Sequence, residues 1–530
     1  MAPLATPDIA ETIPVNAQII LYASTALDPD SVNSRSVYLE DEEGRKLISD
    51  VTLLDRQIII QPKVYLPAEE TLHIIVTTEV ETLSGAHLSE QLSLSFVSGD
   101  PSGDTTPPVY LGHNLSDSGA THPYSIFYFQ FDEPISPLDL PGNIITVKHP
   151  DTLEVITGTI SVMGSLLSFE PSTPLKTMEE LGNDVGYDIN VSLFGNIRDL
   201  SGNTYYDTDV QLSVIGASSA APIVPVTSVN TNSYSTGSTV YSIEKLGNTL
   251  FVGGEERLHI VSYDLDSRSF TPLSTLSTPE MGAVYAISID AGAKVLYLAT
   301  SKGVVIVDVS DYHTPQQIGS YLTADPVYGV DYFNDHLYLA ATLTGMIDLN
   351  ISTPETPQHI HTYATPGTAF GVLSTPSPGY GDYASVSDFD NGMLLVNPDN
   401  NTTMDATFYD YIGQVRAVFR DQNNTSDYLA LSSVGGVFRY NLGSTPPPNM
   451  DLLLSLPSYA YKLVSRRDLI FYVSLKHMGI ALVDYRDVPT IMKIYDPSFK
   501  TTTFTAVSDG VTEHLIIPDA QGALHAIEPN

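Results

Sequence analysis

The stretch GVVIVDVSDYHTP (303–315) runs from an apolar segment directly into Asp308, Asp311 and His313. These three side chains could ligate a metal, or they could belong to a turn that ends a buried strand. Related segments carry Asp or Asn at the first of these places: Asp308, Asn350, Asn397, Asn441 and Asp484. A recurring Asp or Asn suits a turn, where its side chain accepts backbone N–H groups, whereas a catalytic carboxylate would occur once. The stretch therefore predicts a strand followed by a capped turn.

The segment belongs to a repeat of seven units. Their matching second residues lie at 241, 285, 328, 370, 416, 461 and 504, with successive spacings of 44, 43, 42, 46, 45 and 43. A period near 44 is typical of four-stranded propeller blades. A glycine opens the third predicted strand in six units, which fits a turn with positive φ: Gly303, Gly345, Gly392, Gly436, Gly479 and Gly522. We therefore expect 218–530 to form a seven-bladed β-propeller.

The ends of this region suggest how the ring closes. The seventh unit stops at GALHAIEPN (522–530), after its third strand, so its fourth strand must come from elsewhere. The alternating segment IVPVTSVNT (223–231) precedes the first unit and has no blade of its own. We expect 223–231 to supply the outer strand that closes the last blade.

The N-terminal region contains two smaller units. The Pro-stopped strand RQIIIQP (56–62) has its counterpart in SLLSFEP (165–171), and both units later contain Leu-Ser-Gly. Short alternating strands in units of about 100 residues favour β-sandwiches. The segment GDPSGDTTPPVY (99–110) has linker composition. We predict sandwiches at 1–102 and 103–217, and thus an all-β chain.

Two families share these motifs. The segments PVNAQIILYASTALDPDSV (14–32), FQFDEPIS (129–136) and DLSGN (199–203) resemble bacterial Ig-like domains of the SbsA type, although 22–28 lacks the Glu-Pro pair. This resemblance implies secreted or cell-surface spacer modules. The strands at 303–321 and 479–495 resemble LVIVD repeats, a propeller family.

The composition of the chain argues against some classes of binding partner and some kinds of site. The 530 residues carry a formal net charge of −39, which argues against nucleic acid and anionic membranes. The absence of Cys removes disulfides and thiolate metal sites. No apolar run reaches the roughly 20 residues of a transmembrane helix. The opening MAPLATPDIAE (1–11) lacks signal-peptide features, so the expected extracellular or cell-surface location rests on the resemblance.

The innermost predicted strands share an aromatic position. It is filled by Tyr241, Tyr285, Tyr328, Phe370, Tyr461 and Phe504, with Arg416 in the fifth unit. Large rings can fill the wedge between blades, which is the simpler interpretation. They could instead surround a channel mouth that binds sugars or peptides, where Arg416 would meet an anionic group.

Calcium is the one cofactor that the sequence suggests. Oxygen-rich loops contain Asp104, Asp132, Glu133 and Asp199, near the junction of the two sandwiches, and these could hold a structural Ca²⁺. No catalytic motif such as G-x-S-x-G, H-E-x-x-H or Walker A occurs.

The sequence predicts a non-catalytic extracellular protein whose Ig-like spacers present a propeller that binds protein or glycan. Two alternatives stay open. The chain could be a structural segment of a larger secreted polypeptide, such as an adhesin, a surface layer or a toxin shell. It could also be a propeller hydrolase or lyase acting on extracellular polysaccharide, since propeller enzymes gather their side chains from several blades.

Overall fold

We analysed a computed structural model of the chain. It describes residues 13–23, 27–28, 31–54, 57–82, 86–99, 105–115, 120–121, 123, 125–138, 140–149, 152–177, 180, 186–216, 221–365, 367–377, 381–388, 392–397, 402–404, 415–420, 427–432, 436–441, 450–454, 456–457, 460–466, 470–475, 478–486, 490–499 and 501–529. The described residues form strands, turns and loops without an α-helix, which confirms the all-β prediction. Accordingly, no helix among them has the length and apolar character needed to cross a membrane.

The chain divides into two compact units. Unit 1 comprises Met1–Ala120 and Ile126–Ser218, and unit 2 comprises Thr121–Ser125 and Ser219–Asn530.

The first half of unit 1 consists of two sheets around one core. Its strands are β1 (Ile13–Pro14), β2 (Ile19–Tyr22), β3 (Val37–Asp41), β4 (Lys46–Leu47), β5 (Ser49–Leu54), β6 (Gln57–Pro62), β7 (Thr71–Val76) and β8 (Leu92–Gly99). The sheet orders are β1-β8-β7-β3-β4 and β2-β6-β5. Leu21 and Ile58 from the smaller sheet meet Leu39 and Ile74 from the larger one in the core between them.

The second half of unit 1 repeats this two-layer arrangement. Its strands are β9 (Tyr110–His113), β10 (Ala120–Thr121), β11 (Phe127–Phe131), β12 (Ile145–Lys148), β13 (Val155–Ile156), β14 (Gly158–Met163), β15 (Leu166–Pro171), β16 (Gly186–Val191) and β17 (Val210–Gly216). The sheet orders are β10-β17-β16-β12-β13 and β14-β15-β11-β9. Phe127, Phe129 and Phe131 alternate along β11 and all point into the core, as the period of a strand requires.

The described part of unit 2 contains seven small sheets, numbered here along the chain. Sheets 1 to 3 consist of β20 (Ser242–Leu246), β21 (Thr249–Gly253), β22 (Leu258–Asp264), β23 (Ser269–Leu276); β24 (Val284–Asp290), β25 (Val295–Thr300), β26 (Gly303–Asp308), β27 (Gln316–Leu322); and β28 (Gly329–Phe333), β29 (His336–Ala340), β30 (Met346–Asn350), β31 (Gln358–Tyr363). Sheets 4 and 5 consist of β32 (Ala369–Ser377), β33 (Gly381–Asp388), β34 (Gly392–Asn397), β35 (Thr402–Met404); and β36 (Val415–Arg420), β37 (Asp427–Ser432), β38 (Gly436–Asn441), β39 (Met450–Leu454). Sheet 6 consists of β40 (Ala460–Arg466), β41 (Ile470–Leu475), β42 (Gly479–Asp484), β43 (Thr490–Asp496) and β18 (Ile223–Pro225), and sheet 7 of β44 (Thr505–Ser508), β45 (Glu513–Pro518), β46 (Ala523–Ile527) and β19 (Tyr234–Ser235).

Consecutive sheets of unit 2 pack face to face. Each interface between neighbours has its own buried apolar cluster. A further cluster joins sheet 7 to sheet 1, with Val507 and Ile516 against Ile243 and Val261. The sheets therefore form a closed, β-propeller-like ring.

Burial on both faces explains the apolar run in the stretch 303–315. Val304, Val305, Ile306 and Val307 of β26 are all fully buried, because sheets 1 and 3 cover the two faces of sheet 2. A strand covered on both sides is continuously apolar rather than alternating. Burial of each such side chain contributes roughly 2 kcal/mol.

The predicted glycine turns are confirmed. All six glycines that open a third strand have positive φ, between 78° at Gly522 and 133° at Gly303. At Gly303 an added Cβ would also lie 2.2 Å from the carbonyl oxygen of Tyr321 on the fourth strand. Both the φ angle and this close approach therefore require glycine.

The structure divides the segment 223–231, expected to close the last blade, between two neighbouring sheets. Ile223–Pro225 pairs in parallel with β43 and becomes a fifth strand of sheet 6. The outer strand of sheet 7 is Tyr234–Ser235, which pairs antiparallel with β46. Val229 adds one N–H donated to the carbonyl of Ala526 at 2.8 Å. The alternating pattern of 223–231 suits any sheet edge, and Pro225 lacks the N–H of an inner strand, so sequence could not choose between two adjacent edges.

Candidate functional site

The recurring aromatic position lies at the start of the first strand of each sheet. In sheets 2, 4 and 5 the strand register shifts at this residue, so that Tyr285, Phe370 and Arg416 are bulged out of the ladder. A β-bulge turns a side chain away from its regular direction. The residue that follows is small in most sheets, which allows neighbouring first strands to approach closely: at Gly329 an added Cβ would lie 2.8 Å from the Cα of Gly371.

Four of the rings contact one another in sequence order. The centroids of Tyr241 and Tyr285 are 5.4 Å apart and those of Tyr285 and Tyr328 are 4.8 Å apart, both edge to face. The Tyr328 and Phe370 centroids are also 4.8 Å apart, with the planes tilted by 47°. Such pairs contribute about 0.5–1.5 kcal/mol each beyond their buried area.

Arg416 continues this series between two rings. Its Cζ lies 4.8 Å from the ring centroid of Phe370 and 4.8 Å from that of Tyr461. The residue is 7% exposed, so the guanidinium meets both rings largely away from water, where cation–π attraction is strongest. We call Tyr241, Tyr285, Tyr328, Phe370, Arg416 and Tyr461 the aromatic arc.

Phe504 does not join the arc's ring-to-ring series. It is fully buried and packs with Tyr472, Ile480, Leu515 and Ile517 at the interface of sheets 6 and 7. Its equivalence to the other six residues in sequence therefore does not extend to its surroundings.

The side chains of the aromatic arc differ in how much of their surface is exposed. Tyr285, Tyr328 and Tyr461 are 8–9% exposed, and their largest contribution is to packing. Tyr241 and Phe370 are half-buried and carry more accessible ring surface. The structure thus supports the packing interpretation for most of the arc, while binding at its accessible edges stays a prediction.

A lysine that sequence reasoning missed lies beside the arc. Lys462 Nζ donates to the carbonyl of Ile243 at 2.9 Å and to Glu244 Oε1 at 2.7 Å. Both acceptors belong to sheet 1. The side chain of Lys462 therefore reaches from sheet 6 past the first strand of sheet 7 to sheet 1. The sequence does carry a signal for Lys462, because it departs from the repeat. The other six sheets have a small residue at this position: Ser242, Ala286, Gly329, Gly371, Ala417 and Thr505.

A second polar link joins the first strands of sheets 3, 4 and 5. The backbone N–H of Ser374 donates to Asp331 Oδ2 at 2.7 Å, and Arg420 donates to the carbonyl of Ser374 at 3.3 Å. Burial raises the pKa of Asp331, while the Ser374 hydrogen bonds and the charge of Arg420 oppose that shift. Polar groups thus lie on the first strands together with the aromatic arc.

The cluster of Asp308, Asp311 and His313 in the stretch 303–315 forms a pair of turns. Asp308 accepts the N–H of Ser310 at 2.7 Å, and Asp311 accepts the N–H of His313 at 2.9 Å and the hydroxyl of Thr314 at 2.9 Å. These hydrogen bonds lower the pKa of both carboxyls. Asn350 and Asp484 accept N–H groups two residues on in the same way. The turn interpretation of Asp308 is confirmed.

The predicted calcium residues have mixed outcomes. Asp104 lies outside the described residues. Asp132 accepts the N–H of Val109 at 2.7 Å, and Asp199 accepts the backbone and side-chain N–H groups of Asn203 at 2.7 Å each. Within the described ranges, no group of three or more His, Cys, Asp or Glu side chains is placed to hold a metal ion. Calcium binding, including a role for Glu133, stays a prediction.

Comparison with known proteins finds one family match. Residues 285–323, which include most of sheet 2, match the LVIVD repeat. No curated protein matches the chain.

Two solved structures are similar to part of this chain, at low identity. A chain in the crystal structure of the mitotic checkpoint complex is 13% identical, with a TM-score of 0.45, and the match covers 57% of this chain and 93% of that one. The β-propeller domain of Cps50 (Swd1) from Myceliophteria thermophila is 11% identical, with a TM-score of 0.46, and the match covers 57% and 100%. By its own ring of small sheets and the match at 285–323, the chain is a β-propeller-like repeat protein that contains an LVIVD repeat.

Proposed function

We propose that this chain is a non-catalytic binding protein of the cell surface or the extracellular space. Two Ig-like β-sandwiches of the SbsA type act as spacers, and a seven-bladed LVIVD-type propeller presents the binding surface. The ligand is a protein or a glycan.

The aromatic arc is the observation that carries the proposal. Its ring contacts hold neighbouring side chains in fixed positions, so little conformational entropy is lost when a ligand binds. The accessible edges of Tyr241 and Phe370 offer apolar contact to a sugar or a peptide. Arg416 lies largely buried beside these rings, so its charge acts on a ligand through its positive potential and favours ligands with an anionic group.

Glycan and peptide arrays probed with the full chain test the proposal. We expect binders to weaken tenfold or more in Tyr241→Ala, because this half-buried ring ends the described series of contacts. Arg416→Ala removes the charge and should weaken anionic ligands most, whereas Arg416→Lys keeps the charge and should weaken them less.

The matched control is Tyr312→Ala. Tyr312 is also half-buried, but it lies on the turn between the third and fourth strands of sheet 2. Equal binding by Tyr241→Ala and Tyr312→Ala, with both variants folded by circular dichroism, would exclude the arc as the binding surface.

A further inference from the structure

Two large aromatic side chains lie exposed next to each other in unit 1. Phe194 is 55% exposed and Tyr206 is 67% exposed. Their ring centroids are 5.8 Å apart, with the planes at 71°. Exposed apolar side chains scattered singly are ordinary, but two rings in edge-to-face contact form a continuous apolar surface.

The backbone beneath the pair is fixed by hydrogen bonds. The N–H of Phe194 donates to Asp209 Oδ1 at 2.9 Å. Gly195 donates to the carbonyl of Tyr205 at 2.9 Å, and Tyr205 donates to that of Ile197 at 2.9 Å. The neighbouring Leu193 and Tyr205 are buried in the core of the second half.

This anchoring holds the backbone that carries the two rings in place before any partner arrives. Each exposed ring follows directly after a buried anchor in the chain, so the loops that carry Phe194 and Tyr206 cannot rotate their rings inward without disturbing the core. A preformed surface of this kind loses little entropy on binding.

Carboxylates flank the rings. Asp207 and Asp209 are exposed and follow Tyr206 within three residues. Both lie near enough to the Tyr205 hydroxyl to add to the rise in its pKa that burial causes. Arg198 is also exposed nearby, so the local excess is one negative charge among these three groups. The surface therefore combines π faces with a negative potential.

We propose that Phe194, Tyr206, Asp207 and Asp209 form a docking site for a cationic side chain, arginine or lysine, of a partner protein. An aromatic face attracts a cation through its quadrupole, and adjacent carboxylates add charge complementarity. The overall charge of −39 also steers basic partners toward the chain. This site is independent of the aromatic arc and of the function proposed for it.

Fluorescence polarisation of a labelled Gly-Arg-Gly-Arg-Gly peptide against the full chain tests the proposal. We expect saturable binding by the wild type, and at least a fivefold loss of affinity in Tyr206→Ala and in Tyr206→Leu. The leucine variant keeps apolar area but removes the π face. Asp207→Asn should weaken binding several-fold and reduce its dependence on salt.

The control separates this site from non-specific attraction by an acidic protein. Tyr65→Ala removes another exposed aromatic ring of unit 1, 52% exposed, and should bind as the wild type does. Unchanged affinity in both Tyr206 variants would overturn the proposal, as would equal binding of the citrulline analogue of the peptide. Absence of peptide binding by the wild type, or binding of a neutral glycan lost in the same variants, would also overturn it.

Discussion

The repeat pattern and the observed contacts of Lys462 lead to opposite predictions for the stability of the Lys462→Ala variant. Six of the seven sheets carry a small residue at this place, so the repeat alone predicts that alanine restores the consensus and stabilises the ring. The structure predicts the opposite, because Lys462 links sheet 6 to Ile243 and Glu244 of sheet 1.

The expected loss follows from the contacts of Lys462. A hydrogen bond from a charged donor to a carbonyl contributes about 1.5–3 kcal/mol. The pair with Glu244, whose side chain is 38% exposed, adds about 1 kcal/mol or less. Burial of the carbon stem adds about 1 kcal/mol, and regained rotamer freedom returns about 1.5 kcal/mol in the variant. The free energy of unfolding should therefore fall by about 2 kcal/mol.

Differential scanning calorimetry and urea unfolding measure this change. An unfolding entropy of about 2.1 cal/mol/K per residue gives a fall in Tm of about 3 °C for the roughly 310 residues of Ser219–Asn530. Lys302→Ala is the control, since this exposed lysine also donates to a carbonyl, that of Pro279 at 3.0 Å, and should change little.

A double-mutant cycle with Glu244→Gln then isolates the ion pair from the carbonyl contact. Increased stability of Lys462→Ala, or a change no larger than that of Lys302→Ala, would refute a link between sheets 6 and 1.

Two further predictions concern packing and pH. Gly329→Ala should lower the free energy of unfolding by about 2 kcal/mol, because the added Cβ would lie 2.8 Å from the Cα of Gly371. Gly142→Ala is the control, since its Cβ would meet no atom within 4 Å. It should leave the free energy of unfolding unchanged in the same urea titration. Burial lowers the pKa of His259 and His514, so the unfolded chain takes up protons first as pH falls below about 6.5. The stability they contribute is present above that pH and is lost below it. The urea midpoint should therefore fall less between pH 7.5 and pH 5.5 in a variant with glutamine at both positions than in the wild type, and parallel pH dependence would contradict the assignment.

Local constraints made much of unit 2 predictable. A turn that needs positive φ selects glycine wherever it recurs, and a strand end selects Asp or Asn, so Gly303 and Asp308 could be interpreted without coordinates. The aromatic arc was predictable for the same reason, since six of the seven matching positions lie next to one another at the starts of the first strands. Phe504 departs from it because the packing between sheets 6 and 7 differs, which no single position reveals.

Contacts between residues far apart in the chain could not be predicted from the sequence. Lys462 and Glu244 are 218 residues apart, and nothing near either residue indicates the other. Likewise, nothing in the sequence around Phe194 or Tyr206 indicates that their rings are exposed and in contact. Edge strands share this difficulty, because a short alternating segment is compatible with any open edge.

The position of Tyr234–Ser235 on sheet 7 has a consequence for synthesis of the chain. Ser235 donates to the carbonyl of Gln521, 286 residues later, so the ribosome makes one side of this seam long before the other. Sheets 1 to 5 can form in turn as they emerge, whereas the ring stays open until Ala523–Ile527 has been made. Closing so long a loop costs roughly 5 kcal/mol of chain entropy. Nascent chains that stall before residue 523 would keep Tyr234–Ser235 without its partner strand, and these are the chains in which we expect mispairing between molecules.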